Sequence, residues 1–286
     1  MKAMFGPAGN SDDFTKVHKS SVMAPLWLRE MGLDCYEYQC GRGVNIGAQT
    51  AGAIGRAAFE HGIAMSLHSP YFINLSSGES ERVQKNLDYI ESACRAADWM
   101  GADRVVVHCG GLGGLERDAA MENSVSCLEA ALKRLDAAML GHITLCVETM
   151  GKVNTIGSLE DVCAICASSD RLLPCVDFGH LNSRSGGGLK TAEDFDAVLD
   201  YMESSLGRAR AQSFHAHFSK IQYSKGGEVR HLTFDDQVYG PDFHLMLGSV
   251  VKKGFTPRII CESAGTQAKD ALQMKLFYES ALPSGE

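Results

Sequence analysis

The residues best able to do chemistry in this chain stand where strand-like runs give way to loops. The stretch P-C-V-D-F-G-H ends a buried strand at Asp177, enters a loop at Phe178 and Gly179, and places His180 three residues past the carboxylate. A carboxylate and an imidazole held this close can supply two hard or borderline metal ligands. Alone, such a pair is commonly a loop cap. The same event recurs along the chain, however. A-M-S-L-H ends on His68, R-V-V-V-H on His108 and T-L-C-V-E on Glu148, and later runs end on His217 and Glu262. His68, His108 and Glu148 are evenly spaced. Any one of these is an ordinary polar residue at a strand exit. Six successive strands ending this way need a common destination.

The elements that would bring them together are eight short strand candidates: Lys2–Phe5, Cys35–Tyr38, Ala64–His68, Arg104–His108, Thr144–Glu148, Leu172–Asp177, Ser213–His217 and Arg258–Glu262. Between them, apolar residues recur at three and four over Ala51–Glu60, Glu81–Met100, Arg117–Leu135, Ser158–Ala167, Ala192–Glu203 and Asp242–Lys252. Ser158 and Asp161 have the spacing of a capping box. Strand–helix alternation at this rhythm predicts parallel strands with crossover helices, and eight such units predict a closed (β/α)₈ TIM barrel. No linker or low-complexity tract divides residues 1–286, which read as a single domain. An open doubly wound sheet would want a glycine-rich phosphate loop after the first strand, and Gly6-Pro7-Ala8-Gly9 matches that pattern poorly.

Hydrophobic content of 45% and charged content of 22% suit a soluble protein with a full core. No apolar run is long enough for a bilayer, and the N-terminus lacks the apolar stretch of a signal peptide. The ten cysteines lie mostly in apolar patterns and read as buried thiols of a cytoplasmic protein. Cys163 and Cys166 form a C-x-x-C inside a helical pattern with no second pair nearby, so they read as packing, as does Cys109 beside His108. A net charge of −8 argues against nonspecific nucleic-acid binding, but not against a basic or metal-lined groove. Nothing implies a protein partner.

In a barrel the C-terminal strand ends converge on one mouth. His68, His108, Glu148, Asp177, His217 and Glu262 would then meet there. Burying three carboxylates and three imidazoles together costs many kcal/mol unless cations accompany them. The mixed imidazole and carboxylate set suits Zn²⁺, Mn²⁺ or Fe²⁺, and there are too many ligands for one ion. Two or three ions are implied, with Glu148 bridging, an arrangement suited to phosphoester hydrolysis.

These residues resemble a family. His68-Ser69-Pro70-Tyr71-Phe72-Ile73-Asn74-Leu75 resembles the H-x-x-Y-x-I-N-L segment of endonuclease IV, the zinc-dependent apurinic/apyrimidinic endonuclease with a TIM-barrel fold. Val107–Gly111 is similar to its H-P-G segment, and Glu148-Thr149 with Gly151 and Gly157 to its E-x-x-x-G segment. Asp177–His180 matches its D-x-x-H, His217–Lys220 its H-x-N-D-S-K, and Cys261-Glu262-Ser263 its final L-E-T. The resemblance runs in order over nearly the whole chain. It implies hydrolysis at abasic sites in damaged double-stranded DNA, with His68 and His108 on one ion and Glu148 bridging to a second. Asp177, His217 and Glu262 would complete the second ion, and His180 and His231 would hold a third. Tyr71 corresponds to a residue that the family uses at the DNA.

One position departs. Where the family has D-x-H for the third ion, this chain has Val229-Arg230-His231. Glu228 can substitute if Gly226 and Gly227 let the segment bend as a loop, because a regular strand would turn residue 228 to the opposite face from 231. His215 has no counterpart and either supports the site from the same strand face as His217 or simply packs. Arg42 and Lys220 are candidates for meeting phosphates. The alternative is a single-metal sugar isomerase or epimerase of the same barrel superfamily, for which Glu148, Asp177, His217 and Glu262 would suffice.

Overall fold

The computed structural model describes residues 2–283. All eight strand candidates form, with small shifts at their ends: β1 Met4–Pro7, β2 Cys35–Gln39, β3 Ala64–His68, β4 Arg104–His108, β5 Thr144–Glu148, β6 Leu172–Asp177, β7 His215–Phe218 and, after a hairpin of β8 Lys220–Ser224 with β9 Gly227–Leu232, β10 Arg258–Cys261. Eight of them make one parallel sheet in the order β1-β10-β7-β6-β5-β4-β3-β2. The two ends of that order meet. Ala8 bridges Glu37, the Gly9 N–H donates to the Glu37 carbonyl at 2.8 Å, and the Asp34 N–H donates to the Phe5 carbonyl at 2.9 Å. The sheet is therefore closed as a (β/α)₈ barrel, as the strand–helix rhythm predicts.

Alternation along each strand sorts the side chains. Val105, Val107, Leu145, Val147, Val176 and Ile259 face outward and join the large core beneath the helices. The inward residues form two small apolar groups, Ala8-Cys35-Ile260 and Val106-Cys146-Cys175. Buried polar residues, Glu37, Ser66 and His215, also occupy the inward parity. All ten cysteines are buried and free, including Cys109, Cys163 and Cys166. The six predicted helices are present within a few residues, and Ser158 and Asp161 form their capping box. Helices at Asp12–Val17, Ala24–Glu30 and Gln267–Ala281 join them. No helix among the described residues is long and apolar enough to cross a membrane.

The N-terminal end of the barrel is closed by an ion pair. Arg258, 4% exposed, reaches the Asp103 carboxylate at 2.8 Å and the Met65 carbonyl at 2.9 Å. The opposite end carries the polar strand termini, in keeping with the separation of stability and function between the two faces of this fold.

Two local expectations change. Phe178 and Gly179 open a short helix, Phe178–Arg184, rather than a loop. The free amides of its first turn need an acceptor, and Asp177 supplies it as the N-cap. Gly226 lies in the turn of the β8–β9 hairpin and Gly227–Leu232 is its second strand, not a loop. Its pairing is interrupted: Gln222 opposes Arg230, whereas Tyr223 opposes Glu228. Val229 is thus the extra residue of a bulge, which shifts the alternation by one position.

Candidate metal centre at the barrel mouth

The register of the sheet sets the strand-end residues side by side. His108 is paired with Glu148 between β4 and β5, and Asp177 with His217 between β6 and β7. Glu262 follows β10 directly, its N–H donating to the Phe218 carbonyl at 2.9 Å. Five overlapping groupings result among the described residues, each with its potential ligand atoms within 4.8 Å of one another; three of them take in all the strand-end candidates: His68, His108 and Glu148; Glu148, Asp177, His217 and Glu262; and His180, Glu228 and His231. The others, His68-His217-Glu262 and Cys175-His215-His217, share His217 with the second.

Glu148 belongs to the first two, and its oxygens divide between them. Oε2 lies 3.1 Å from His68 Nε2 and 2.9 Å from His108 Nε2, while Oε1 lies 3.1 Å from His217 Nδ1. The third group is completed by the bulge. With Val229 looped out and 53% exposed, the Glu228 carboxylate turns inward and stands 3.3 Å from His180 Nε2. The inward position expected of Glu228 comes from a strand irregularity rather than from a loop.

Several histidines have one ring nitrogen fixed from outside. His68 Nδ1 lies 2.8 Å from the Ser69 carbonyl and His180 Nδ1 lies 2.8 Å from the Thr149 carbonyl. Each carbonyl takes a proton on Nδ1 and leaves Nε2 as the free donor atom facing the acids. His231 Nδ1 lies 2.8 Å from the Ser219 hydroxyl. Asp177 Oδ1 accepts from the His180 N–H at 2.8 Å, so this D-x-x-H is a helix cap. Its Oδ2, equally buried, has no aligned hydrogen-bond partner, lies 3.3 Å from His180 Nδ1 and stands in the second group.

The electrostatics of the centre have one sign. Burial pushes the Glu148 carboxyl up, but the imidazoles of His108 and His217 outweigh it and hold the group well below the usual carboxylate range. Burial raises the Glu262 carboxyl. Burial disfavours a charged His180, yet Asp177 and Glu228 carry its pKa up to about 9. A pocket that keeps buried imidazoles protonated has surplus negative potential, which divalent cations neutralise more effectively than protons. The orphaned Asp177 oxygen, the shared Glu148 and the borderline donor set fit zinc-type ions.

Around this centre lies a groove of about 560 Å³ lined in part by Tyr71, Asn74, Lys152 and Thr155. The half-exposed Tyr71 ring stacks on His108 at 5.7 Å between centroids and meets His68 edge-on. Arg42 is exposed nearby, beside Tyr71 in an adjoining depression. Lys220 is placed differently from expectation: it lies on β8 and its ammonium is held by the Phe234 and Asp236 carbonyls.

Glu37 and Lys152 escape a reading of strand ends. Lys152 lies in an irregular loop after β5, which carries no periodic signal. Glu37 did leave a trace, as the lone acid within the buried run C-Y-E-Y. Fully buried, its carboxylate lies 3.0 Å from Nε2 of both His215 and His217. Burial raises it, and those imidazoles more than reverse the effect. His215 thus contacts Glu37 rather than only packing, and burial lowers its pKa to about 4, keeping it neutral.

This chain belongs to the xylose isomerase-like TIM barrel family, whose profile matches residues 25–277. It is 27% identical to an uncharacterised protein of Methanocaldococcus jannaschii, over 88% of this chain and 90% of that one. It is 26% identical to the probable endonuclease 4 of Staphylococcus carnosus over 56% of this chain, a match spanning about half (54%) of that relative's length. Among solved structures, endonuclease IV from Thermus thermophilus superposes with a TM-score of 0.67 at 19% identity, covering 91% of this chain and 95% of that one. A 3-keto-D-glucoside 4-epimerase from E. coli superposes with a TM-score of 0.68 at 15% identity, covering 98% and 100%. At these identities the structural likenesses speak for the fold alone.

Proposed function

We propose that this chain is a metal-dependent hydrolase that cleaves phosphodiesters at abasic sites in damaged double-stranded DNA, holding two or three zinc-type ions. The observation that carries the reading is the division of Glu148, with one oxygen facing His68 and His108 and the other facing His217. A single-ion site has no use for a carboxylate shared in this way, nor for a third grouping of His180, Glu228 and His231. Divalent ions in such a centre supply a hydroxide near neutral pH and offset charge on attacking and leaving oxygens.

The chain's own residues have separable tasks. His68 and His108 would hold one ion with Glu148, and Asp177, His217 and Glu262 the second with the same Glu148. His180, Glu228 and His231 would hold the third. The Ser69 and Thr149 carbonyls keep His68 and His180 in the tautomer that presents Nε2. Tyr71 offers an exposed aromatic face beside the centre, where an abasic gap leaves a deoxyribose open to contact. Lys152 in the groove and Arg42 at its margin would meet the flanking phosphates.

A second reading is a single-metal sugar isomerase or epimerase. It is favoured by one observation: Glu148, Asp177, His217 and Glu262 make a four-ligand set by themselves. Metal analysis combined with assays on abasic duplex and on ketose sugars separates the two. Two or three zinc-type ions with cleavage of abasic duplex is the expected result. One ion per chain with sugar turnover and no strand cleavage would replace the first reading with the second.

A further inference from the structure

His217 differs from the other site histidines in how its outer nitrogen is held. His68 and His180 turn Nδ1 to backbone carbonyls and Nε2 to the acids. His217 is reversed: Nδ1 is in hydrogen-bond contact with Glu148 at 3.1 Å and lies 3.6 Å from Glu262, while Nε2 lies 3.0 Å from a carboxylate oxygen, Glu37 Oε1, in ion-pair contact without hydrogen-bond alignment. Glu37 is itself oriented from several sides. Its Oε2 accepts from the Ser66 hydroxyl at 2.9 Å and lies 3.0 Å from His215 Nε2, and its Oε1 accepts from the Gln39 amide at 3.2 Å.

The apolar part of the inward layer is Cys35, Val106, Cys146, Cys175 and Ile260. A carboxylate buried beside it is costly without partners, and the partners of Glu37 link the inward polar residues Ser66 and His215 to the site histidine His217. A carboxylate on the far nitrogen of a ligating imidazole fixes its tautomer and strengthens it as a donor.

We propose that Glu37 is a positioning residue: it keeps the proton of His217 on Nε2, so that Nδ1 is presented as a donor to a divalent ion shared with Glu148, Asp177 and Glu262, and His215, Ser66 and Gln39 hold Glu37 for that task. The inference rests on the reading of the barrel mouth as a metal centre, and it applies to the nuclease and the isomerase alike.

The test uses Co²⁺ as the probe in the full chain. Visible absorption that disappears in His217→Gln reports this set of ligands. In Glu37→Gln that absorption should shift, and Co²⁺ affinity should fall about 10–100-fold, with Glu37→Asp recovering part of the loss. The unfolding midpoint of metal-free Glu37→Gln should stay close to that of the wild type. Wild-type loading with unchanged affinity and spectrum in Glu37→Gln would overturn the role of Glu37 alone. A wild-type chain that takes up no Co²⁺ or Zn²⁺ would overturn the metal centre beneath it. A second measurement needs no variant at position 37. In ¹⁵N-histidine-labelled wild-type protein, assigned with His217→Gln, the His217 Nε2–H should persist with slow solvent exchange after Zn²⁺ is added, while the Nδ1 resonance shifts. A proton on Nδ1 in the loaded protein would refute the proposal even if Glu37→Gln does not fold.

Discussion

The Glu228 carboxylate stands 3.3 Å from Nε2 of His180, although strand alternation alone would turn it away from the neighbouring ligand candidate His231. The bulge at Val229 removes one step of the alternation and puts residues 228 and 231 on the same face. Glu228→Gln should therefore lower the metal content by one equivalent per chain, as read by elemental analysis after dialysis. Val229→Ala, which trims an exposed side chain, should leave the content unchanged. Equal metal content in Glu228→Gln and the wild type would remove Glu228 from the ligand set.

Ligand burial predicts the order of metal loss. The side chains of Glu228 and His231 are 20% and 28% exposed, whereas those of Asp177, His217 and Glu148 are at most 1% exposed. A chelator added gradually should strip the His180–Glu228–His231 group first, and stoichiometry should fall in resolved steps. Simultaneous release of all metal would show the groups to be one cooperative unit.

Glu148→Gln should keep the fold, because the amide occupies the same volume, and should reduce hydrolysis of an abasic duplex by at least ~10²-fold. Circular dichroism checks the first point and single-turnover cleavage the second. Near-normal turnover would place Glu148 outside the mechanism.

Binding to abasic duplex should weaken steeply with salt, because phosphate contacts release counterions. Arg42→Ala and Lys152→Ala should each flatten the slope of log affinity against log salt by about one contact, whereas Lys220→Ala, whose ammonium is held by backbone carbonyls, should not. Equal affinity for abasic and intact duplex at every salt concentration would count against the nuclease reading.

At the opposite end of the barrel, Asp103→Asn should destabilise the protein by about 1–3 kcal/mol, since it leaves the buried Arg258 without its charged partner. The metal content and the activity per folded molecule should not change. Chemical denaturation of the metal-free chains provides the measurement.

Periodicity and residue type alone were enough for the strand–helix rhythm, the eight parallel strands and the set of acids and histidines at their ends. These signals are local: a strand exit and an amphipathic helix are written within ten or twenty neighbouring residues, and closure of eight such units leaves their polar ends one place to meet. Tertiary structure decided the rest. Whether Glu148 faces one group or two depends on side-chain rotation among residues from several strands. The inward turn of Glu228 depends on a pairing slip between Gln222 and Tyr223, opposite Glu228–Arg230, which no period in G-G-E-V-R-H reveals. Lys220 looked free beside His217, but a carbonyl pair from a distant loop holds it. Glu37 lies far before His217 in the chain, and its role emerges only because the register of closure sets β2 across the barrel from β7. Pairing register and barrel closure are long-range properties, fixed by how all the strands satisfy one another at once, and so they are absent from any single stretch of the chain.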